Sequence, residues 1–417
     1  MARIKNIIKK IIPNEKLDLF RRIRYKKIIN DAKTYHQASF SYKKKSGDII
    51  IVFMVYQPQS WNSLKTVYEA AVAHPEVVPY VIVIGGESRM SDNNSLSALE
   101  YFTGVCSNVI DCTSNNEVFD LNRLSPDFVF RQTLYDSSYP EKYSLKELSK
   151  ISKICYVPYN YNFSPLKHLK IEYGIGSLAN VYAVFSESDS NARYCKEQAV
   201  KWHLDLQVFN LGFPRFDLLK RNVTKYKKNG CVFTWIPRWS VDAGENDATS
   251  FFKYNENLME YFRLHKELKL ILRPHPLMFD HFVKLGIMTV EDVEIYKSNI
   301  DKENNIFLDD NIDYLETLVE TDVLIADMSS IDYEFYLMGK PMIYCGDPSE
   351  YNAETKKMME CSYGVSNWME LENKIKQLSN GIDPTFDERE KDIENIFSNM
   401  PKNIGESIIN KCVSIMR

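Results

Sequence analysis

Residues 323–334 read Val-Leu-Ile-Ala-Asp-Met-Ser-Ser-Ile-Asp-Tyr-Glu, so that an apolar run passes directly into a helix-forming pattern. The run from Val323 to Ala326 is short, continuous and apolar, which is typical of a strand buried in a parallel sheet. Ser329 or Ser330 is expected to cap the helix that follows and runs to Met338. The stretch therefore predicts a strand-to-helix turn, the element at which open α/β sheets bind their ligands.

This predicted turn has the chemistry of a phosphate site. Free backbone N–H groups and the helix dipole favour an anion there, and two hydroxyl groups add hydrogen-bond donors. N-capping alone accounts for one serine without any ligand, but it leaves the second serine and Asp327 unexplained. Glu334 lies one to two turns into the helix, where it could reach a ribose hydroxyl.

The alternation of apolar runs and helical patterns continues on both sides of this stretch. Residues 48–55 form a near-continuous apolar run, and residues 63–73 follow with helical spacing. Further apolar runs predict strands at 80–84, 127–130, 153–157, 183–185, 208–212, 232–235, 269–273, 306–308 and 341–344. Strands that alternate with helices favour a doubly wound α/β fold.

A polar, basic segment at 220–230 is interpreted as a linker between two halves. We expect one Rossmann-like domain at 45–219, a second at 230–392, and a C-terminal helix at 393–417 that packs back across both. The 417-residue chain is long enough for two or three domains. Its 44% of apolar and 26% of charged residues are near the averages for globular proteins, which excludes a disordered chain.

The first 30 residues are rich in Lys and Arg and carry isoleucines at helical spacing. Such a basic amphipathic arm could lie on an anionic membrane surface, and a helix packed on the body of the protein is the alternative. No apolar run reaches the length of about 18 residues that a spanning helix requires. The net charge is only −4 and the basic excess is confined to this arm, so no nucleic-acid partner is expected.

A second polar motif follows the predicted strand at 269–273, where residues 272–276 read Leu-Arg-Pro-His-Pro. The two prolines hold His275 outside a helix. Arg273 and His275 together make a cationic, hydrogen-bonding pair that suits a diphosphate. A purely structural histidine is the alternative.

A third motif follows the predicted strand at 232–235, where residues 235–240 read Trp-Ile-Pro-Arg-Trp-Ser. Arg238 could neutralise a phosphate, and Trp235 or Trp239 could wall a base or an acceptor. A packed aromatic turn is equally compatible with this segment. The sequence contains neither a P-loop nor a Gly-x-Gly-x-x-Gly dinucleotide motif.

Together the three motifs resemble the bacterial CDP-glycerol glycerophosphotransferase family, which includes teichoic acid polymerases and primases. The resemblance is carried by residues 235–239, 273–276 and 321–330, and it continues to Gly339-Lys340-Pro341. It is strongest from about 231 to 347. Weaker similarity to the family is found at 210–217, which resembles its Gly-x-Pro-Arg-x-Asp turn, and at 57–61 and 130–136.

The resemblance implies a GT-B-like α/β fold, in which two Rossmann-type domains face a central cleft. It implies that the domain at 230–392 binds a CDP-glycerol or CDP-polyol donor, and that the domain at 45–219 binds a cell-surface glycan or lipid-linked acceptor. Glycerol phosphate would pass to an acceptor hydroxyl with release of CMP, in the synthesis of teichoic acid or capsule polymers. The enzyme would be cytoplasmic and peripheral on the inner face of the membrane, and no cofactor or metal is expected.

The resemblance also implies roles for individual residues. The donor diphosphate is expected to contact Arg238, Arg273, His275, Ser329 and Ser330, with His275 also catalytic. The nucleotide is expected to contact Pro237, Asp327 and Glu334. The acceptor is expected near Trp61, Arg131 and Tyr159.

One departure from the family concerns the general base. The polymerases carry a His-Gly pair in their N-terminal domain as the candidate base, whereas the corresponding stretch here, residues 156–160, contains no histidine. Asp136, Tyr159 or a residue that the sequence does not identify is expected to replace it. Two other functions remain open on the sequence: a GT-B glycosyltransferase that uses a nucleotide sugar, and a non-catalytic nucleotide-binding protein of the same fold.

Overall fold

A computed structural model describes residues 14–41, 47–84, 97–113, 118–161, 173–222, 231–241, 248–311, 313–346 and 351–417. Of the predicted basic arm, residues 1–13 lie outside these ranges, as do residues 223–230 of the predicted linker. Two parallel sheets organise the described chain, one in each half of the sequence.

The first sheet has seven described strands in the order β3-β2-β1-β4-β5-β6-β7, all parallel. Its central strands are apolar and almost wholly buried, as expected where helices cover both faces of a parallel sheet. The strands are β1 Ile49–Val55, β2 Val77–Ile84, β3 Val109–Cys112, β4 Phe128–Arg131, β5 Lys153–Tyr156, β6 Ala183–Ser186 and β7 Gln207–Asn210.

The second sheet has six described strands in the order β10-β9-β8-β11-β12-β13, also parallel. The order places β9, β8 and β11 side by side, so the segments that follow these three strands leave the same edge of the sheet. The strands are β8 Val232–Ile236, β9 Lys269–Leu272, β10 Ile306–Leu308, β11 Val323–Ala326, β12 Met342–Tyr344 and β13 Tyr363–Gly364.

Sixteen helices accompany the two sheets in the described ranges. Those of the first half are α1 Asn14–Ser41, α2 Lys65–Ala73, α3 Ala98–Val105, α4 Leu145–Ser149, α5 Ile175–Leu178, α6 Asp189–Trp202 and α7 Arg215–Asn222. Those of the second half are α8 Phe251–Leu264, α9 Met278–Lys284, α10 Val290–Ile300, α11 Leu315–Glu320, α12 Ser330–Tyr336, α13 Ala353–Glu360, α14 Trp368–Ser379, α15 Phe386–Ser398 and α16 Ile404–Met416. None of the described helices combines the length and the apolar character needed to cross a membrane.

Two strands were not anticipated from the apolar runs. β3 is only four residues long and includes an exposed aspartate, Asp111, while β13 has just two residues. Both lie at a sheet edge, where one neighbouring strand is enough and a fully apolar run is not required. The predicted strand at 208–212 ends at Asn210, since Gly212 adopts a left-handed φ of 89°.

The predicted single helix from about 393 to 416 is in fact two helices, α15 and α16, separated by a segment that contains Pro401. A proline inside a helix removes a hydrogen bond and clashes with the preceding turn, which explains the break. α16 packs against α2 of the first half, and a Cβ atom on Gly405 would lie 2.4 Å from the Thr66 carbonyl oxygen. The end of the chain is therefore fixed to the first sheet and its helices.

One of the apolar clusters of the core spans both halves, whereas two other clusters each belong to one half. A continuous cluster of buried side chains includes Phe53 of the first sheet, Leu324 of the second and Ile408 of α16. α1 makes a separate contact with the first half, in which Ile29 and Ala32 pack on Ile175 and Ala179. The predicted alternative of a helix packed on the body of the protein thus holds for the described part of the arm.

Candidate functional site

The three motifs predicted from the sequence lie together at the carboxyl edge of the second sheet. They follow the neighbouring strands β8, β9 and β11, and backbone hydrogen bonds join them. The backbone N–H of Arg273 donates to the Trp235 carbonyl at 2.9 Å, and that of His275 donates to the Pro237 carbonyl at 3.1 Å. Strand order, which the sequence pattern does not specify, brings these residues into one site.

Asp327 holds two of these segments in place. Its Oδ2 atom accepts hydrogen bonds from the backbone N–H groups of Arg238 at 2.7 Å and Ser250 at 2.9 Å, and from the Thr249 hydroxyl at 3.4 Å. Burial raises the pKa of Asp327 above its ordinary value. Within the described chain its Oδ1 atom is buried without a hydrogen-bond partner, so one carboxylate oxygen is not used by the fold. Pro237, also predicted at the nucleotide, is buried beside it.

Ser329 and Ser330 have different roles. The Ser329 hydroxyl accepts a hydrogen bond from the Ile331 N–H at 3.3 Å, and Asp332 accepts one from the Ser329 N–H at 3.0 Å. This reciprocal pattern is a capping box that starts α12. The Ser330 side chain makes no hydrogen bond to other described residues, which leaves its hydroxyl for a ligand.

His275 is half-buried between its two prolines. Its Nδ1 atom accepts a hydrogen bond from the Leu277 N–H at 3.1 Å, so the neutral ring carries its proton on Nε2. Burial, with a contribution from the Arg238 cation, lowers the pKa of His275 to about 4. The imidazole is therefore neutral near pH 7 and can donate one hydrogen bond from Nε2.

Arg273 reaches this edge of the sheet, but its guanidinium is engaged within the protein. It pairs with Asp309 at 2.6 Å and donates to the Asn311 carbonyl at 2.7 Å. Asp309 also accepts a hydrogen bond from the Thr317 hydroxyl. The Asp309 side chain is only 7% exposed, so this group is largely buried. Arg273 is placed to support the His275 turn, and its direct contact with a diphosphate stays a prediction.

Glu334 is occupied by groups other than a ribose. It forms an ion pair with Arg215 of the first half, and it accepts a hydrogen bond from the Tyr314 hydroxyl at 2.8 Å. Its side chain is 2% exposed. The structure thus corrects the expected placement of Glu334 as a free ligand for the nucleotide: it lies in a buried pair that joins the two halves.

Trp61 is part of the core and not of a binding surface. It is 2% exposed, and its ring contacts Phe53, Tyr68 and Phe102 with centroid distances of 6.5, 5.5 and 5.3 Å. The prediction that it contacts the acceptor is corrected accordingly. The indole is needed to fill the space between β1, α2 and α3.

Arg131 and Asp136 are partners of each other. Arg131 is fully buried at the end of β4, and its guanidinium contacts Asp136 at 3.0 Å and lies 3.5 Å from the Tyr139 ring centre. Asp136 also accepts a hydrogen bond from the Leu145 N–H at 2.9 Å, which starts α4. The expected role of Arg131 in acceptor binding is therefore corrected to a structural one, and Asp136, predicted as a general base, is the ion-pair partner of Arg131 and the acceptor at the start of α4.

Tyr159 is the one predicted acceptor residue with an open side chain, at 43% exposure. Its backbone N–H donates to the Gln132 carbonyl at 3.2 Å. Two residues further on, Tyr161 stacks on Tyr333 of α12 with a centroid distance of 3.8 Å and an interplanar angle of 5°. Tyr159 thus lies beside a direct contact between the first half and the helix that begins at the two serines.

Two residues of this region, Tyr161 and Arg215, were not predicted as site residues. Arg215 stands in the stretch 210–217 that resembles a family turn, which was the available signal. No motif in the neighbouring sequence marked Tyr161, because its stacking partner Tyr333 is distant along the chain. Across the described ranges, no three His, Cys, Asp or Glu side chains form a group that could hold a metal ion.

The two parallel-sheet α/β domains give this protein a GT-B-like fold. The fold is similar to that of the wall teichoic acid polymerase TagF, with a TM-score of 0.57, 12% identity, and coverage of 96% of each chain. It is also similar to the UDP-GlcNAc 2-epimerase of Methanocaldococcus jannaschii in complex with UDP-GlcNAc and UDP, with a TM-score of 0.56, 12% identity, and coverage of 88% of this chain and 99% of that chain. The UDP-GlcNAc 2-epimerase of Neisseria meningitidis matches with a TM-score of 0.53, 13% identity, and coverage of 88% and 99%.

At such low identity these structures establish the fold alone. In sequence, residues 185–368 match the family model of CDP-Glycerol:Poly(glycerophosphate) glycerophosphotransferase. This segment contains all three motifs of the site. The predicted resemblance and the prediction of a transferase of this type are both confirmed by that match. A search of curated proteins gives no match.

Proposed function

We propose that this protein transfers glycerol phosphate, or a related polyol phosphate, from a CDP-linked donor to a hydroxyl group of a cell-surface glycan or lipid-linked acceptor, with release of CMP. The observation that carries the proposal is the joining of the three family motifs at the carboxyl edge of β8, β9 and β11. Ligands of open α/β sheets bind at this edge. The family match covers the same segment.

The donor diphosphate would contact Arg238, the Nε2–H group of His275, and the hydroxyl of Ser330. The Arg238 cation is close enough to His275 to affect its pKa, so both lie near one anionic group when the donor is bound. Ser329 would contribute through the start of α12, which it caps. The unpartnered Oδ1 of Asp327 would accept a hydrogen bond from the nucleotide.

The reaction would be an in-line displacement at the β-phosphorus. A bond forms between the acceptor oxygen and that phosphorus, and the bond to the oxygen that bridges to the α-phosphorus breaks, so CMP leaves with the electron pair. The proton of the acceptor hydroxyl group is released to solvent. Positioning and charge stabilisation supply most of the catalysis in phosphoryl transfer. His275 would donate a hydrogen bond to the departing phosphate from Nε2. Tyr159 is the acceptor-side residue that we retain, since Arg131 and Asp136 engage each other.

The location of the enzyme is also proposed. In α1, Arg22, Arg24, Lys26 and Lys27 are exposed, while the opposite face packs on the first domain. A basic surface of this kind attracts anionic lipids by about 1 kcal/mol per Lys or Arg near the headgroups. We therefore propose a cytoplasmic enzyme bound peripherally at the inner face of the membrane, where a lipid-linked acceptor would be presented for teichoic acid or capsule polymer synthesis.

The proposal is tested by measuring CMP release from CDP-glycerol by the full-length protein, with and without a membrane or glycan extract. The key variant is His275→Ala, and the matched control is His265→Ala, which removes an exposed histidine of the same domain that pairs with Glu267. Loss of one hydrogen-bond donor to a developing oxyanion lowers kcat by about 100- to 1000-fold. We expect acceptor-dependent CMP release that His275→Ala loses and His265→Ala keeps.

Other outcomes separate the alternatives. Turnover of CDP-ribitol instead of CDP-glycerol would change the polyol and keep the reaction. Turnover of a nucleotide sugar alone would make the protein a GT-B glycosyltransferase and contradict phosphate transfer. Binding of CDP without turnover of any donor, in the presence of the extract, would favour the non-catalytic alternative.

A further inference from the structure

The segment 210–217 has no assigned role in the donor site, although it stands at the junction of the two domains. It leaves β7 through Gly212 and begins α7 at Arg215. The Arg215 side chain is 2% exposed, so a full positive charge is buried at this point. A buried charge requires a specific partner, and among the described residues the charged and aromatic partners of the Arg215 guanidinium belong to the second domain.

Arg215 contacts two elements of that domain. Its Nε atom donates to the Glu334 carboxylate of α12, and its guanidinium lies 4.2 Å from the centre of the Tyr314 ring. The Tyr314 hydroxyl donates to the second oxygen of Glu334, which closes the group of three. Burial acts against the charge of Arg215, but the Glu334 carboxylate raises its pKa above the ordinary value.

Each of these two elements leads directly to the donor site. Glu334 is in the short helix that Ser329 caps and Ser330 begins. The Tyr314 ring also lies 5.4 Å from the guanidinium of Arg273, which is two residues before His275. We call the start of α12 at Ser329-Ser330 the serine turn and residues 273–276 the histidine turn. Arg215 therefore contacts Glu334, in the helix of the serine turn, and Tyr314, which lies against Arg273 of the histidine turn. It belongs to neither turn itself.

The position of Arg215 is fixed by its own domain. Asp217, in the same helix, accepts hydrogen bonds from the backbone N–H groups of Ile404 and Gly405, both at 2.9 Å. These two residues begin α16, which packs on α2. A Cβ atom on Gly212 would approach the Met400 sulfur to 3.0 Å, so the turn is also closely packed against the C-terminal segment. Arg215 cannot shift without moving the first domain.

We propose that Arg215 is a positioning residue for the donor site: its guanidinium, held between Glu334 and Tyr314, aligns the serine turn and the histidine turn with the first domain. Replacing a buried ion pair with apolar residues is often neutral or stabilising, so stability alone is a poor reason for such a pair. Its geometry offers a better reason, because it joins the domain that would carry the acceptor to both supports of the phosphate site. This inference rests on the proposed function only where it is tested by kcat and KM with CDP-glycerol.

The test compares Arg215→Lys and Arg215→Met with Arg389→Lys and Arg389→Met in the full-length protein. Arg389 is equally buried and pairs with Asp383, but both residues belong to the second domain. Each variant is measured for thermal unfolding, for CDP affinity by calorimetry, for kcat and KM with CDP-glycerol, and for radius of gyration by small-angle X-ray scattering. Arg215→Lys keeps the charge, so it provides a folded variant if Arg215→Met does not fold.

We expect Arg215→Lys to lower kcat by about 100-fold, as displacements of about 1 Å in a site can do, with CDP affinity close to that of the unmodified protein. We expect the Arg389 variants to retain kcat even where their unfolding temperature falls. The double variant Arg215→Met/Glu334→Leu should be no slower than Arg215→Met, because the two side chains act as one unit. The radius of gyration should increase in Arg215→Met and stay constant in Arg389→Met.

Opposite results would overturn the proposal. Unchanged kcat and unchanged scattering in folded Arg215 variants would show that the pair is only structural. A rate loss in Arg215→Met/Glu334→Leu that exceeds the loss in Arg215→Met would show that the two side chains do not act as one unit, and it would also contradict the proposal. Absence of CDP-glycerol turnover by the unmodified protein would count against the proposed function. In that case the scattering comparison between the Arg215 and Arg389 variants would still decide whether Arg215 couples the domains.

Discussion

The carboxyl edges of the two sheets carry similar residue types but use them differently. At the second sheet, Asp327 and the Ser329 cap satisfy backbone groups and leave the His275 Nε2–H and the Ser330 hydroxyl open. At the first sheet, Arg131 and Asp136 neutralise each other. The difference teaches that an arginine or a carboxylate after a strand indicates a site only when the fold has left its polar atoms without partners.

The strongest test of this contrast is Trp61→Ala. Because Trp61 fills the core between β1, α2 and α3, we expect the free energy of unfolding to fall by about 3–5 kcal/mol. The matched variant Tyr159→Ala removes an exposed ring and should change that free energy by about 0.5 kcal/mol or less. Urea unfolding measures both. A small effect of Trp61→Ala would restore Trp61 as a candidate for the binding surface.

Asp327→Ala tests the carboxyl edge of the second sheet. The substitution leaves the buried N–H groups of Arg238 and Ser250 without an acceptor, and each such loss costs about 1–3 kcal/mol. The control is Asp322→Ala, since Asp322 also accepts from two backbone N–H groups, those of Cys231 and Val232, but at the opposite edge of the same sheet. We expect donor turnover to fall in Asp327→Ala only. Equal losses of turnover would argue against a special role for the carboxyl edge.

The two serines provide a test within one turn. Ser329→Ala removes the N-cap of α12 and should lower the free energy of unfolding by about 1 kcal/mol. Ser330→Ala removes a hydroxyl that the fold does not use, so we expect a change of about 0.5 kcal/mol or less together with a larger loss of turnover. Chemical unfolding and CMP release, measured on the same samples, separate the two roles. Equal stability losses would contradict the division.

The smallest effect concerns pH. The pKa of His275 is about 4 in the folded protein and about 6.5 when unfolded, so between these values the unfolded chain binds a proton that the folded chain does not. His275 should therefore contribute a loss of stability as the pH decreases from 6.5 towards 4, whereas Asp327 and Glu334, whose pKa values are raised by burial, contribute in the opposite direction. His275→Asn should remove the contribution of His275 and leave that of His36, whose pKa is also lowered by burial. Urea midpoints across this range measure the slope, and an unchanged slope would contradict the burial of His275.

The local sequence located the three segments that the structure brings together at the carboxyl edge of the second sheet. Eleven apolar runs identified strands, and three motifs identified the segments after β8, β9 and β11, because a buried parallel strand requires a continuous apolar run and the turn after it requires particular residues. In the first half, the residue types of Trp61, Arg131 and Asp136 were compatible with binding. The sequence pattern did not show that Trp61 is buried in the core or that Arg131 and Asp136 pair with each other. The edge strands β3 and β13 were missed for the related reason that they are short and partly polar.

The amino-acid sequence by itself determined that this chain forms two α/β halves and that the second carries motifs that resemble those of glycerophosphotransferases. The periodicity of apolar residues and the composition of each motif are local properties of the sequence. They can therefore be recognised without knowing which segments are in contact in the fold. Only the tertiary structure decided which polar atoms remain open. Strand order joins the three motifs, the buried Arg215–Glu334 pair connects the domains, and partners far along the chain determine whether a charged side chain is free for a ligand or used by the fold.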